Sequence, residues 1–235
     1  MKTTTFPRPL VLAFDVFGTV VDWHGSIAAE VDRLGLPVTG AEFATAWRAR
    51  YQPAMHKVRT GQLPWTRIDD LHRQNLDDVL AHYRITSLDE AALANLNRVW
   101  HRLNPWPDSV AGLTALKASF MLCTMSNGNL GLLANMAKHG GLPWDLILSA
   151  EVFQHYKPDP ETYLGVCEVF DIAPAQMLMV AAHKDDLRAA QACGCQTAFI
   201  TRPLEYGAGV AVDIEPEASF QYHATDLSDL ARQLA

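Results

Sequence analysis

Apolar and polar positions change their period twice along this chain. Residues 10–14 are apolar at every step, without the alternation of a half-exposed strand, so they read as a short strand buried on both faces of a parallel sheet. The run stops at a carboxylate, Asp15. From residue 22 to residue 103 the period is helical. Ile27, Val31 and Leu34, then Phe43, Trp47 and Tyr51, then Ile68, Leu71, Leu76 and Leu80, then Leu93, Leu96, Val99 and Leu103 recur every three to five positions. Breaks at 35–40, 61–64 and 86–87 separate these groups, which predicts four helices. Leu103-Asn-Pro-Trp-Pro107 then ends the helical stretch, because its prolines extend the chain.

From residue 108 onward strands and helices alternate. Helices are predicted over 108–118, 130–138, 160–170 and 185–193, followed in turn by strands at 120–125, 147–148, 177–181 and 196–200. Alternation with short connections belongs to a doubly wound parallel sheet. The predicted fold is therefore α/β: a Rossmann-like core formed by residues 1–21 and 106–235, with a four-helix bundle inserted as a cap domain over residues 22–105. Residues 205–217 are the only loop-like stretch of any length.

Composition narrows the function. Apolar residues make up 49% and charged residues 19%, a globular balance, and 26 Asp+Glu outweigh 19 Lys+Arg. With no basic run, neither nucleic acid nor an anionic membrane surface is an expected partner. No segment approaches the roughly 18 apolar residues of a membrane helix, and residues 1–10 lack a signal-type stretch, so the expected location is the cytoplasm. The four cysteines, Cys123, Cys167, Cys193 and Cys195, are too scattered for a disulfide framework. Cys193-Gly-Cys195 invites a metal or redox reading, but no second pair stands at ligand spacing. Gly194 reads better as a helix-terminating glycine before a strand.

Ligands of open parallel sheets bind outside the carboxyl ends of the strands, so polar residues there are candidates for chemistry. Asp15 ends the first strand, and Gly18 lets the backbone turn so that the amides of Val16 and Phe17 are free to face an anion. Ser126-Asn127-Gly128 follows the strand at 120–125, where Ser126 is either a helix N-cap or part of an anion site. Lys157, in Tyr156-Lys-Pro-Asp159, is either a solvated charge or a site cation. The strand at 177–181 runs into Ala182-His183-Lys184-Asp185-Asp186, where His183 is either a satisfied buried histidine or a pocket group.

Asp15-Val-Phe-Gly-Thr19 resembles the first motif of the haloacid dehalogenase superfamily, whose phosphatases carry Asp-x-Asp-x-Thr. Phe17 stands where the phosphatases place the acid that protonates the leaving alkoxide. A halide needs no proton to leave, and the form seen here is similar to the type II branch, the L-2-haloacid dehalogenases. Ser126-Asn-Gly128, Tyr156-Lys-Pro-Asp159 and the segment ending in Asp186 resemble the second, third and fourth motifs in family order, and Tyr163 matches a further tyrosine of that branch. The phosphatases hold Mg²⁺ with Gly-Asp-x-x-x-Asp in the fourth segment. Here Ala182 replaces the first acid and only Asp186 remains, so no metal and no cofactor are expected.

The resemblance implies a role for each of these residues. Asp15 is the nucleophile, positioned by Thr19 and Lys157; Ser126 and the Val16 and Phe17 amides hold the substrate carboxylate; Arg48 and Asn127 hold the departing halide; Trp47 joins Phe17 in the wall. Water that hydrolyses the aspartyl ester is activated by Asp186 or His183, a choice the sequence leaves open. The implied reaction turns a short 2-haloacid, an L-2-haloacid or haloacetate, into a 2-hydroxyacid and halide. A phosphatase of the same superfamily and a catalytically silent binding protein are the alternatives. Ala181 and His183 replace a Ser and an Asn of better-known members, which raises the expectation that fluoroacetate is accepted, with His183 as a second donor beside Arg48. The resemblance also implies a homodimer, the state in which members of that family often occur.

Overall fold

The computed structural model describes residues 6–235; residues 1–5, part of the stretch read as lacking a signal segment, lie outside the described residues. Strand β1 (Val11–Phe14) leads through a tight turn to the two-residue strand β2 (Val21–Asp22). Helices α1 (Trp23–Leu34), α2 (Gly40–Arg48), α3 (Tyr51–Arg59), α4 (Ile68–His82) and α5 (Glu90–Asn97) follow, then a 3₁₀ turn at Arg98–Arg102 and strand β3 (Asn104–Pro105). The remainder runs α6 (Ser109–Lys117), β4 (Met121–Ser126), α7 (Leu130–Gly140), β5 (Leu146–Ser149), α8 (Ala150–Phe153), α9 (Pro160–Val169), β6 (Met177–Ala181), α10 (Lys184–Ala192), β7 (Gln196–Ile200), β8 (Tyr222–Ala224) and α11 (Leu227–Gln233).

Six strands form one parallel sheet in the order β5-β4-β1-β6-β7-β8. Every residue of β1 is buried because the strand is central and both of its faces are covered: Leu12 and Phe14 pack with Leu122, Leu178 and Val180 on one side, Val11 and Ala13 with Cys123, Met177 and Met179 on the other. Burial of each Val, Leu, Met or Phe among them contributes roughly 1.5–3 kcal/mol. The chain moves from β1 to β4 and β5 on one side and to β6, β7 and β8 on the other, so a crevice opens at the carboxyl end of β1. The α/β fold with an inserted helical cap is thus present.

Strands β2 and β3 pair antiparallel, Val21 with Pro105 and Asp22 with Asn104, so the inserted helices leave and rejoin the core at one place. Asp22 caps α1 by accepting from the amide of Gly25 at 2.8 Å. The four expected helices resolve into five. The run from Phe43 to Tyr51 is divided because Pro53 cannot donate to the carbonyl of Ala49 and is tolerated only in the first turn of a new helix, α3. The last group likewise divides into α5 and the 3₁₀ turn. Short elements with little periodicity, α8, β8 and α11, also went unforeseen. Gly194 has φ +87° just past α10, the left-handed position foreseen for it, and all four cysteines are free. Among the described residues no helix is long and apolar enough to cross a membrane.

Candidate active site

Asp15 continues the ladder one residue past β1, its amide donating to the carbonyl of Val180 at 3.0 Å, so a rigid strand aims its carboxylate into the crevice. The turn behind it is closed by the amides of Val20 and Val21, which donate to the carbonyl of Val16 at 2.9 and 3.2 Å. That turn returns Thr19 to Asp15: the hydroxyl donates to Oδ2 at 2.6 Å and accepts from the amide of Ala182 at 2.9 Å. Lys157 comes from the segment before α9 and donates through Nζ to Asp15 Oδ1 at 2.8 Å and to Asp186 Oδ2. Tyr163 on α9 donates to Asp186 Oδ1 at 2.5 Å. His183 places Nδ1 3.1 Å from Asp15 Oδ2 and Nε2 2.9 Å from Oε1 of Glu205.

Burial works against the charge on Asp15, yet the Lys157 ammonium and the His183 ring outweigh it and hold the carboxyl far below its usual range. Lys157 is buried as well, and its two carboxylate partners raise it above an ordinary lysine. Burial, with Asp15 close by, pushes Asp186 up against the pull of Lys157. Burial lowers His183, but Glu205 and Asp15 more than reverse this and push it up to about 10. The floor of the site thus holds an ionised Asp15, a charged Lys157 and an Asp186 readier than usual to take a proton.

Above this floor lies a cavity of about 440 Å³. Of the residues singled out in the sequence, Asp15, Phe17, Arg48, Asn127, Lys157, His183 and Asp186 line it. Arg48, at the end of α2, lies over the ring of Tyr51 at 4.0 Å and near Trp23 at 5.3 Å, and its Nη1 is buried without a hydrogen-bond partner. Asn127 accepts from the amide of Lys157 through Oδ1 at 2.8 Å. Arg50, two positions on, instead folds back to the carbonyl of Ala46 at 2.7 Å.

Other expected residues sit elsewhere. Trp47 does not reach the cavity: it is 1% exposed, donates its indole N–H to the carbonyl of His72 at 3.0 Å and packs edge-on to Trp100, because its position on α2 faces the cap interior. Ser126 is wholly buried as the last residue of β4, accepts from the amide of Gly128 at 3.1 Å and does not line the cavity. Nor is it the cap of α7, which is Asn129. Val16, Thr19 and Tyr163 stand one layer behind the cavity surface.

Trp23, Tyr51, Gln52 and Tyr206 line the cavity without having been singled out for it. Tyr51 belongs to the apolar stripe and reads as core; only its place three residues after Arg48 sets it under the guanidinium. Glu205 was also missed, although an acid in the loop after a parallel strand obeys the rule that selected Asp15. The residues do not fit a divalent cation. Phe17 and Ala182 offer no side-chain oxygen, Asp15 and Asp186 already share Lys157, and among the described residues no three His, Cys, Asp or Glu side chains are grouped to hold a metal.

Comparison with known proteins gives the family. Residues 10–194 match the family model of haloacid dehalogenase-like hydrolases. The chain is 30% identical over 200 residues to (S)-2-haloacid dehalogenase 1 of Pseudomonas sp. (strain CBS-3), covering 82% of this chain and 86% of that protein. It is 48% identical to an L-2-haloacid dehalogenase of known crystal structure, with a TM-score of 0.92 over 97% of this chain and 100% of that one. A defluorinating L-2-haloacid dehalogenase is 44% identical, with a TM-score of 0.93 over 98% and 99%. A crevice at a parallel strand's end, an aspartate clamped by threonine and lysine, and this match over most of the sequence place the chain among the haloacid dehalogenase-like hydrolases.

Proposed function

We propose that this protein hydrolyses the carbon–halogen bond of short 2-haloacids through an aspartyl ester on Asp15. One observation carries the reading: a single cavity is lined by an ionised Asp15, by an Arg48 whose Nη1 is buried and unpartnered, and by the Phe17 ring where a phosphatase needs a proton donor. A bound halide or carboxylate would complete the bonding of Arg48.

In the proposed sequence, Asp15 Oδ1 attacks C2 in line, the O–C2 bond forms as the C2–halogen bond breaks, and halide leaves toward Arg48 and Asn127. Asp15 Oδ2, which already accepts from Thr19 and His183, becomes the ester carbonyl, and those donors await the oxyanion of the second step. Water then attacks the carbonyl carbon and gives its proton to Asp186, whose raised proton affinity suits a base. The oxyanion collapses, the bond from the carbonyl carbon to Oδ1 breaks, Oδ1 takes the proton held on Asp186 and departs as the hydroxyl of the 2-hydroxyacid, and the water oxygen, its second proton lost to solvent, restores the carboxylate. Since C2 is attacked once, an L-2-haloacid yields the D-2-hydroxyacid.

Fluoroacetate is proposed as a substrate beside chloroacetate, supported by the similarity to a defluorinating enzyme. His183 is not the extra halide donor, because both of its nitrogens already face carboxylates. We further propose that the enzyme works without a metal, in the cytoplasm and as a homodimer, with residues 1–21 and 106–235 as core and 22–105 as cap. The test is halide release from chloroacetate and fluoroacetate against phosphate release from a generic phosphomonoester, each with EDTA and with Mg²⁺. Halide release insensitive to EDTA supports the reading; Mg²⁺-dependent phosphate release without halide release would replace it with the phosphatase.

A further inference from the structure

Glu205 belongs to the loop that follows β7 and is 1% exposed, yet its carboxylate meets no arginine or lysine at hydrogen-bond distance. Its Oε1 accepts from the indole N–H of Trp23 at 3.1 Å and lies 2.9 Å from His183 Nε2. The other ring nitrogen, Nδ1, is 3.1 Å from Asp15 Oδ2. An imidazole with a carboxylate at each nitrogen is satisfied in one form only. The neutral ring has a single N–H and would turn a lone pair on one of the two anions, whereas the imidazolium donates to both.

The loop is built to put Glu205 there. Its amide donates to the carbonyl of Arg202 at 3.1 Å, and Arg202 in turn donates through Nε to the carbonyl of Thr19 at 2.9 Å and grips Asp108 with both terminal nitrogens at 2.7 and 2.8 Å. The loop after β7 is thereby anchored to the turn that carries Thr19. Gly18 completes the fit: a β-carbon there would stand 2.3 Å from Glu205 Oε1, so the glycine of the first motif leaves room for this carboxylate as well as supplying a φ of +86°.

We propose that Glu205 is a positioning residue of the dehalogenation site, holding His183 doubly protonated with Nδ1–H on Asp15 Oδ2, so that His183 is a fixed cation of the oxyanion pocket and never the base that activates water. The proposal rests on the aspartyl-ester reading above and assigns the base role to Asp186 alone. The groups around His183 act in the same sense on balance. Asp15 and Glu205 face its two nitrogens, Asp185 and Asp186 lie on the helix it caps, and the opposing cations are engaged elsewhere, Lys157 with Asp15 and Asp186, Lys184 with Asp213, and Arg48 above the aromatic wall. Burial lowers the ring's affinity for a proton, but the two carboxylates carry it up to about 10.

Glu205→Gln keeps the shape and both acceptor contacts and removes the charge. In wild type the rate of halide release from chloroacetate should be flat from pH 6.5 to 9. In Glu205→Gln it should fall about tenfold per pH unit above the lowered His183 pKa, and Glu205→Asp should restore much of the alkaline activity. A Glu205→Gln profile parallel to wild type would overturn the proposal. NMR titration of ring-labelled His183 in the wild-type enzyme is independent of how any variant folds: resonances of the charged ring persisting above pH 8.5 are expected, and a neutral ring at pH 7.5 would overturn it. The titration also separates the two readings, since an enzyme that releases no halide defeats the dehalogenase assignment while its His183 titration still reports whether Glu205 holds the charge.

Discussion

On the floor of the cavity every carboxylate oxygen of Asp15 and Asp186 has a donor, whereas in the cap Arg48 Nη1 and both ring nitrogens of His72 are buried without a hydrogen-bond partner. These two shortfalls are different in kind. His72 stacks on Trp100 at 4.1 Å, and burial pushes its pKa down to about 3, so it is a neutral filler whose missing bonds cost only desolvation. Arg48 carries a charge, rests on Tyr51 and opens to the cavity. The floor is thus held by hydrogen bonds of its own, while the wall keeps a buried donor of Arg48 without a partner. A site built this way spends its rigidity on the nucleophile and leaves its unmet bonding for the substrate.

The largest effect expected is on the floor. Asp15→Asn, nearly the same shape but a poor nucleophile, should cut halide release by roughly 10⁴-fold or more in a protein that still folds. Single turnover in ¹⁸O water should label the Asp15 carboxylate before the product; label in the product alone would mean direct attack by water. Lys157→Met should be the most destabilising change at the site, by about 3–5 kcal/mol in urea unfolding, since Asp15 and Asp186 would be left as neighbouring buried anions. A stability loss under 1 kcal/mol would show that the floor is not a single ion-paired unit.

The wall should behave otherwise. Arg48→Lys loses the planar fork and its stacking on Tyr51, so kcat/KM for chloroacetate and fluoroacetate should fall together by about 10²-fold, with stability unchanged. A large drop in melting temperature would erase the contrast between wall and floor. The smallest effect concerns pH. His183 has its pKa raised on folding, so its contribution to stability is complete below its unfolded value near 6.5 and is lost as pH rises toward about 10. Unfolding free energy should therefore decline between pH 6.5 and 10 by about 1–2 kcal/mol more in wild type than in His183→Asn, a modest figure because the ring is 29% exposed and partly screened. Equal slopes in the two proteins would remove His183 from the floor's ion-paired set.

Much of the core could be read from its residues alone. Strands β6 and β7 fall at their expected positions, and α6, α7, α9 and α10 within a few residues, because a strand buried on both faces is a short unbroken apolar run and a helix packed on a sheet carries a 3.6-residue period. Strand β8 escaped because an edge strand of three residues has no pattern to recognise, and the division of α2 from α3 turned on one proline within an otherwise helical stripe.

By itself the sequence determined the parallel sheet, the inserted helices and the polar residues at the strand ends, since each depends on neighbours a few positions away. Only the tertiary structure decided which of them meet. It set Trp47 inside the cap and Arg48 on the cavity, a difference of one residue on a helix and so about 100° of rotation. It also brought Glu205, from a loop without periodicity, across to His183 and the space beside Gly18. Such contacts join residues far apart in the chain, so their geometry comes from the packing of whole elements and leaves no mark in local sequence.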